Sequence, residues 1–501
     1  MTTNSDSIFP QFSLTELTAI VRPWMTRMRW YTGQPDDDIT LTHALRLGQE
    51  SDQCTSAMFL IRAPHALFNV PLTFRRLTDR SGSLTSLTAE PIGIMRGDIG
   101  VFDATDDPHG QYALLGSVLR TEYQATSEAP ATHIPFAPTG TLAAPPEHCT
   151  ASDGAIGTTE GYLPAMTLQS TVFHNDQTPI VSSTRLRSEQ SNTSIIFRFA
   201  SPESAPKSAC AGIIMKVFRV LSSGMNPDVE LQSALDRSQC GCVVRQFGAA
   251  VAHWDNKSTH ALFAQEFLDG AVDAWQIFTN HPDTGMDENT RENIRTLGLM
   301  TRAMHEALAR EFPTRPIGPT DRDAIRTTWD TRATQALTDA PELAQYRAAI
   351  TAIFDAAMDS PWPAVQRIHG DYHLGQVIYS AQRQQWYALD FEGEPLRPLA
   401  ERVAPDLALR DVAGMLRSFD YASGTRQRAG ASGEASEQWC AQAQQSFLDG
   451  YGDIPSTYRP LLRALVLDKA LYEVSYEYAS RPDWIDIPVR GILKIIGQEK
   501  Q

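Results

Sequence analysis

The chain has 501 residues, of which 42% are hydrophobic and 20% are charged, and its formal net charge is −16. This is the composition of an ordinary globular protein with room for two or three domains and a sizeable core. The acidic balance argues against a nucleic acid partner, whose phosphates demand a basic surface, and against an anionic membrane. No apolar run approaches the length that spans a bilayer.

The cysteines are few, six in the whole chain, and Cys240-Gly-Cys242 is their only close pair. No second pair lies at zinc spacing, so we expect neither a metal site there nor a disulfide scaffold. The first residues lack a basic stretch followed by an apolar one, and no signal peptide is predicted. A reducing cytoplasm fits this pattern best.

Residues 1–120 are predicted to form an N-terminal cap region with both helix and strand. Apolar residues at helical spacing indicate a helix over Phe12–Met28, which Ser13 can cap. Strand-like runs follow at Ala57–Ile61 and Phe68–Phe74. Residues 121–164 contain a stretch from Ala125 to Gly161 that is rich in Ala, Pro, Thr, Ser and Gly, which is typical of a linker or a long surface loop.

Residues 165–268 are predicted to be rich in strands. The runs are Ser188–Arg198, Gly212–Val220, Cys242–Phe247 and His260–Phe267, and one helix runs from about Asp228 to Leu235. Residues 269–501 are predicted to be mostly helical, with helices near 290–308, 343–358, 409–420, 437–451 and 460–479. Strands first and helices later is the order of an α+β chain.

The most informative motif is His369-Gly-Asp-Tyr-His-Leu-Gly-Gln376, followed by Asp390-Phe-Glu-Gly-Glu394. The runs between them predict a hairpin that would place Gln376 and Asp390 at the start and the end of two short strands. Asp371 can accept a proton from a hydroxyl, while an amide and a carboxylate can hold Mg²⁺ on the phosphates of ATP. This is the arrangement that kinases of the protein-kinase-like superfamily need.

Lys216 lies in the apolar run Gly212–Arg219, where a buried ammonium requires a partner. Glu230, early in the next helix, is the predicted partner. In kinases a strand lysine binds the α- and β-phosphates and is held by a helix glutamate. The alternative is an edge strand whose lysine points to solvent.

Two further segments are candidates for nucleotide contacts. Ser191, Asn192, Thr193 and Ser194 lie between predicted strands, upstream of Lys216, where hydroxyls and backbone N–H groups can line a phosphate, although a plain polar turn explains them as well. Gln265, Glu266 and Phe267 lie where strands give way to helices, which is the position of a kinase hinge that binds adenine through its backbone.

Several polar residues around these motifs have two possible roles. His369 is expected to organise the loop by hydrogen bonding, and His373 is a candidate of the same kind or a substrate contact. Glu392 and Glu394 can reach a second Mg²⁺ or a substrate hydroxyl, or form salt bridges with Arg397 or Arg402.

The last long predicted helix carries Lys469, Tyr472, Glu473, Tyr476 and Glu477 at helical spacing. Aromatic rings beside hydrogen-bonding groups suit a sugar, whereas the alternative is core aromatics with a surface ion pair. The same two interpretations apply to the earlier group of Arg417, Asp420 and Tyr421.

Long motifs from about residue 185 to the C-terminus resemble the actinobacterial maltokinases. They include the loop and hairpin above, Leu409–Tyr421, Met225–Leu231, Lys469–Val474 and Arg481–Pro488. The resemblance implies a two-lobed, protein-kinase-like (aminoglycoside-phosphotransferase-like) fold with an N-terminal α+β cap. It also implies transfer of the γ-phosphate of ATP to the anomeric hydroxyl of maltose.

On this resemblance Asp371 is the base, Gln376 and Asp390 bind Mg²⁺, and Lys216 and Glu230 form the phosphate-binding pair. The product, maltose 1-phosphate, would feed α-glucan synthesis from trehalose, and a separate trehalose synthase chain is a possible partner. Two alternatives stay open: a kinase for glucosamine or another amino sugar, and a non-catalytic scaffold for a trehalose synthase.

Overall fold

The computed structural model describes residues 13–48, 53–78, 89–120, 156–158, 161–174, 178–187, 191–200, 210–280, 285–394 and 397–497. The chain divides into two compact units. The first comprises Met1–Val229 and Arg245–Asp269, and the second comprises Glu230–Val244 and Gly270–Gln501.

Among the described residues, the first unit contains two six-stranded antiparallel sheets, one two-stranded pair and the helices α1 and α2. Its elements are α1 Leu14–Met25, β1 Thr40–Leu47, β2 Cys54–Arg62, β3 Leu67–Arg76, β4 Gly93–Met95, β5 Ile99–Asp103, α2 Pro108–Leu119, β6 Ile156–Thr158, β7 Gly161–Leu163, β8 Thr167–Val172, β9 Ile180–Arg185, β10 Thr193–Phe199, β11 Gly212–Val217, β12 Val220–Leu221, β13 Gln246–Trp254 and β14 Lys257–Glu266. The strand orders are β1-β2-β3-β5-β4, with β12 paired to β3, and β8-β13-β14-β11-β10-β9. A short pair, β6 and β7, stands apart from them.

The cap and the second sheet are joined through the segment that follows β11. Strand β12 pairs with β3, and the Asn69 side chain donates to the Phe218 carbonyl at 3.1 Å. Arg219, which is completely buried, donates to Asp103 at the end of β5 at 3.1 Å and stacks on Trp30. Because a buried cation needs its carboxylate, this contact ties the cap to the strand that carries Lys216.

The second unit is mostly helical. After α3 Pro227–Arg237, which begins in the first unit, its elements are β15 Val272–Asp273, α4 Ala274–Thr279, α5 Glu288–Glu311, α6 Pro319–Asp339, α7 Arg347–Asp359, β16 Val377–Ser380, β17 Gln385–Ala388, α8 Leu399–Arg402, α9 Ala408–Arg428, α10 Gly433–Tyr451, α11 Arg459–Ser480 and α12 Asp486–Gly497. The three strands form a sheet in the order β15-β16-β17.

The core of this unit lies among the apolar faces of α5, α7, α9, α10 and α11. Helices α5 and α10 touch backbone to backbone, since a side chain at Gly298 or at Gly450 would collide with the main chain of the other helix. Trp329 of α6 stacks on Phe354 of α7 with ring centroids 5.0 Å apart. These contacts fix the helices that carry the site described below.

The α+β architecture with a mostly helical C-terminal part is as predicted. Ser13 accepts from Glu16 N, so it caps α1 as expected. Helices α2, α4, α6, α8 and α12 were not predicted, and α7 begins at Arg347, after a 3₁₀ turn over Pro341–Tyr346.

Three further expectations concern the predicted linker, the cysteine pair and membrane-spanning helices. Most of the predicted linker, residues 121–155 and 159–160, lies outside the described residues. Cys240 and Cys242 are paired as a disulfide within the tight turn that follows α3, a pairing that the sequence analysis did not predict. Among the residues that the structure describes, no helix combines the length and the apolar character that a bilayer crossing requires.

Candidate active site

The loop that carries Asp371 is anchored by a buried carboxylate from α9. Asp411 accepts hydrogen bonds from the backbone N–H groups of His369 and Gly370, each at 2.9 Å, and lies 3.0 Å from His305 Nε2. Gly370 has a φ of +86°, a left-handed conformation that glycine adopts at little cost. Burial alone would raise the pKa of Asp411, but the hydrogen bond and the charge of His305 outweigh it and lower the pKa. The ionised carboxylate therefore holds the loop in place.

His369 stabilises the same loop from inside, as predicted. Its Nε2 contacts the Leu389 carbonyl at 2.8 Å, and its Nδ1 accepts from the Asp371 backbone at 3.4 Å. The His373 Nδ1 accepts from Gly375 N at 3.0 Å. Burial lowers the pKa of His373, although the charge of Asp371 opposes this effect. A neutral His373 has an acceptor nitrogen, which this hydrogen bond uses.

Asp371 lies beside a lysine from the far end of the chain. Lys469 Nζ is 3.6 Å from Asp371 Oδ1 and 3.1 Å from Glu394 Oε1, and Glu394 also pairs with Arg397 at 2.7 Å. Burial alone would raise the pKa of Glu394, but Lys469, Arg397 and Arg332 together lower it to about 2. Lys469 is therefore a fixed cation between two carboxylates. For Glu394, the salt bridge with Arg397 that the sequence left open is present.

The hairpin of β16 and β17 brings the two predicted metal ligands together. Gln376 Nε2 donates to Asp390 Oδ2 at 3.2 Å, and Leu389 N donates to the Gln376 carbonyl at 2.9 Å. Asp390 has a φ of +60°, an unusual conformation for a residue other than glycine, and such strain concentrates at functional sites. A carboxylate and an amide side by side offer the hard oxygen donors that Mg²⁺ prefers, so this pair fits the predicted metal.

Glu392 occupies a different position from the other candidates. It is half-buried, and its backbone carbonyl accepts from Arg402 at 2.9 Å. Within the described part of the chain it does not line the cavity at Asp371. Its predicted substrate contact therefore stays a prediction.

A cavity of about 680 Å³ opens at Asp371 within the second unit. Its walls come from the catalytic loop, α4, α9, α11 and the turn that follows α11. The lining residues are Trp275, Asp371, His373, Gly375, Glu394, Gly414, Ser418, Tyr421, Lys469, Tyr472, Glu473, Tyr476, Glu477, Arg481 and Trp484. Five of the predicted substrate residues, His373, Tyr421, Lys469, Tyr472 and Glu473, are thus brought together with the predicted base.

Aromatic rings and carboxylates alternate along the cavity wall. Tyr472 and Tyr476 stack with centroids 6.3 Å apart on one face of α11. Tyr421 Oη donates to Glu477 Oε1 at 2.9 Å, and Arg481 pairs with the same carboxylate at 2.6 Å. Burial raises the pKa of Tyr421, and the neighbouring glutamates raise it further, so its hydroxyl stays protonated and donates.

Contrary to the prediction, the side chain of Arg417 does not line the cavity. Its side chain is 1% exposed and lies behind the wall, where Nε donates to Glu473 Oε2 at 2.8 Å and Nη1 to Asp420 Oδ2 at 2.6 Å. A guanidinium buried between two carboxylates satisfies its charge there. The predicted contact of Arg417 with substrate is therefore wrong, and its partner Glu473 forms the wall instead.

In the first unit, the predicted partner of Lys216 is wrong. Lys216 Nζ pairs with Asp228 Oδ2 at 2.8 Å, and Asp228 is completely buried. Glu230 pairs with Arg367 at 2.7 Å within the second unit. The sequence located the start of α3 correctly, but the rotation of the helix about its axis decides which of two nearby acids faces the strand.

The remaining nucleotide candidates lie on strands of the first unit. Ser191 is exposed and Asn192 half-buried, whereas Thr193 and Ser194 are buried on β10. Thr193 Oγ1 accepts from Arg219 Nε at 2.9 Å, so its hydroxyl is engaged within the protein. The structure therefore leaves Ser191 and Asn192 as the accessible part of this segment.

The predicted hinge residues end β14. Gln265 and Glu266 are buried, and the Gln265 amide donates to Gln246 at 3.2 Å. The backbone N–H of Phe267 donates to the Gly212 carbonyl at 2.9 Å. Their role toward adenine stays a prediction.

Asp228, Asp411 and Trp275 are among the residues of the candidate site to which the sequence analysis gave no role there. Asp411 is a single acid within the apolar stripe of α9, a signal that reasoning about buried charges can use. Trp275, which lines the cavity, follows a two-residue strand and gives no comparable signal.

Residues 243–447 match the family described as APH, the phosphotransferase enzyme family. A glucosamine kinase of Mycolicibacterium smegmatis is 28% identical over 256 residues, which cover 47% of this chain and 62% of the relative. A glucosamine kinase of Streptacidiphilus jiangxiensis is 27% identical over 253 residues, covering 44% and 54%. The chain thus matches less than two thirds of the length of these curated relatives.

Among solved structures, a glucosamine kinase in complex with glucosamine, ADP and inorganic phosphate superposes with a TM-score of 0.63 and 18% identity. The match covers 99% of this chain and 100% of that one. At this identity the likeness establishes the fold and leaves the substrate open. Together with the family match, it shows that this chain has the two-lobed, aminoglycoside-phosphotransferase-like kinase fold.

Proposed function

We propose that the protein transfers the γ-phosphate of ATP to a hydroxyl of an amino sugar of the glucosamine class. The observation that carries this proposal is the cavity at Asp371. Four carboxylates line it, those of Asp371, Glu394, Glu473 and Glu477, against the two cations of Lys469 and Arg481. Five aromatic residues, two tryptophans and three tyrosines, also line it. A sugar that bears an ammonium group matches both features.

In this mechanism Asp371 orients the acceptor hydroxyl and accepts its proton as the oxygen attacks the γ-phosphorus. The new O–P bond forms, the bond to the β-phosphate oxygen breaks, and ADP leaves. Lys469, 3.6 Å from Asp371, keeps that carboxylate in place. His373 and Gly375 border the same end of the cavity and limit the approach of the sugar.

Nucleotide binding falls to other residues of the chain. Gln376 and Asp390 would hold Mg²⁺, which neutralises phosphate charge when it is bound. Lys216, held by Asp228, binds the α- and β-phosphates. Pairing of the half-buried lysine with the buried carboxylate of Asp228 fixes the direction of the lysine side chain.

The choice of acceptor depends on charge more than on size. A cavity of about 680 Å³ admits a monosaccharide or a disaccharide. Maltose, the acceptor expected from the sequence resemblance, carries no charge and so offers no cation to the carboxylates of the wall. The named relatives are glucosamine kinases. Both findings support the amino sugar over maltose.

The test is a comparison of acceptors with the purified full chain, ATP and Mg²⁺. Glucosamine, glucose and maltose are supplied separately, ADP release is followed, and each product is identified by ³¹P and ¹H NMR. We expect the highest kcat/KM with glucosamine, and the glucose comparison isolates the effect of the amine. Preference for maltose or glucose would reject the amino-sugar assignment.

A variant of the base provides the second arm. Asp371→Asn should lower turnover by about a hundredfold or more, the general range for a lost acid–base group. Asp449→Asn, an exposed aspartate on α10, is the matched control and should keep full turnover. Turnover of Asp371→Asn close to that of the control would remove Asp371 from the mechanism.

A further inference from the structure

Arg417 contacts only one of the two oxygens of Glu473. Nε donates to Oε2 at 2.8 Å, and Nη2 lies 2.7 Å from the same oxygen. Among the described residues, Oε1 has no hydrogen-bond partner. Glu473 lines the cavity with 11% of its side chain exposed. One oxygen is therefore fixed from behind while the other remains for a ligand.

Asp420 holds the other side of the guanidinium. It accepts from Arg417 Nη1 at 2.6 Å and is itself bound by Gln444 Nε2 at 3.1 Å and by Cys440 Sγ at 3.2 Å. Asp420 is thus held by Gln444 and Cys440 of α10 as well as by Arg417. The pair of acids defines the plane of the guanidinium, since a bidentate cation has little rotational freedom between two carboxylates.

Helix α12 packs closely against the guanidinium of Arg417 at Gly491. A Cβ atom on Gly491 would collide with Arg417 Nη1, so only glycine lets the helix pack against the guanidinium. Gly497, at the end of the same helix, has no such neighbour. The requirement for glycine is therefore local to the contact with Arg417.

We propose that Arg417 is a positioning residue that fixes Glu473 as an ionised acceptor for the ammonium of the sugar, with Asp420 and Gly491 holding Arg417 in place. The inference rests on the proposed function, because it assigns a cationic acceptor to the same cavity. Its consequence is selectivity: the network acts on amino sugars and has no corresponding effect on neutral ones.

The charges around Glu473 decide how the network responds to pH. Arg417, Asp420 and Tyr421 face it from α9, Lys469 and Glu477 from its own helix, and Lys494 of α12 approaches Asp420 at 4.0 Å. Burial raises the pKa of Glu473, and Arg417 opposes that rise more than any other group. Loss of Arg417 should therefore move the acidic limb of amino-sugar binding to higher pH.

The experiment measures KM and kcat for glucosamine and for glucose across a pH series in Arg417→Met, Arg417→Lys and Glu473→Gln. We expect Arg417→Met to raise KM for glucosamine by about tenfold or more, the effect of losing one charge-assisted hydrogen bond, while KM for glucose changes little. Arg417→Lys should restore part of the loss. In the Glu473→Gln background, Arg417→Met should add almost nothing.

Gly491→Ala disturbs Arg417 while it keeps the charges of both Arg417 and Glu473, and Gly497→Ala is its matched control. We expect Gly491→Ala to reduce the preference for glucosamine and Gly497→Ala to leave it unchanged. Equal effects of Arg417→Met on both sugars, or additivity with Glu473→Gln, would overturn the inference. Absence of turnover in the wild type would instead refute the proposed function, so the two failures are distinct.

Discussion

The clearest quantitative prediction concerns Lys469, which connects two carboxylates of the cavity. Glu394 has a pKa of about 2, against an ordinary value of 4.5. Since one unit corresponds to about 1.4 kcal/mol, the depressed pKa contributes at most roughly 3 kcal/mol to the free energy of unfolding at neutral pH. Arg397 and Arg332 share in this effect. We therefore expect Lys469→Met to cost roughly 1–2 kcal/mol at pH 7.

The sign of the pH dependence follows from the direction of the shift. A carboxylate whose folded pKa is depressed stabilises the protein fully above its unfolded pKa. That contribution is lost as the pH falls from about 4.5 toward 2. The energetic coupling between Lys469 and Glu394 should therefore be present at pH 7 and smaller at pH 3.

The assay is a double-mutant cycle of Lys469→Met and Glu394→Gln, with urea unfolding followed by tryptophan fluorescence at both pH values. Lys494→Met is the matched control, because the Lys494 side chain is 46% exposed and its ion pair with Asp420 is long, at 4.0 Å. It should change stability by no more than about 0.5 kcal/mol. A coupling of zero at pH 7, or one unchanged at pH 3, would refute the reasoning.

Three further substitutions test other parts of the molecule. Asp390→Ala should abolish Mg²⁺-dependent ATP binding, and an unchanged calorimetric titration would reject it as a metal ligand. Asp411→Ala should lower the free energy of unfolding by roughly 3 kcal/mol, because it leaves the N–H groups of the catalytic loop unpaired; a change in thermal unfolding below about 1 kcal/mol would contradict that anchoring role. Asp103→Asn should cost roughly 3 kcal/mol in urea unfolding, since it leaves the buried Arg219 without its carboxylate, whereas Asp98→Asn, at an exposed pair, should cost less than about 0.5 kcal/mol. Equal costs for these two variants would remove the argument from burial.

The fold was predictable where amphipathic periodicity was strong. Helices α5, α9, α10 and α11 each bury one apolar stripe, and the sequence located all of them. Helix α6 was missed because it buries only Trp329, Ala333, Ala336 and Leu337 in 21 residues, so its pattern is mostly polar. Propensity and periodicity do not identify a helix whose stability comes from a few contacts.

The site was predictable where its geometry is local. Gln376 and Asp390 end one hairpin, and a hairpin brings its two ends together whatever surrounds it. Lys469 and Glu394 are 75 residues apart, and Arg417 and Glu473 are 56 apart. Such pairs depend on how helices pack, which the sequence alone does not give. The wrong prediction of Glu230 as the partner of Lys216 has a similar cause. The rotation of α3 about its own axis decides that Asp228 faces the strand.

The same distinction explains why the sequence resemblance indicated the reaction better than the acceptor. The loop from His369 to Gln376 and the hairpin that ends at Asp390 handle groups that any kinase of this fold shares, namely a hydroxyl, a metal ion and phosphates. In the proposed function the acceptor is bound by side chains of α9 and α11 and by the turn after α11, whose charge becomes evident only when they form one cavity. Four acids and two cations line that wall, and this excess of carboxylates is the ground on which we propose a cationic acceptor. The proposed acceptor therefore rests on the charge of the cavity, and the comparison of glucosamine, glucose and maltose tests it.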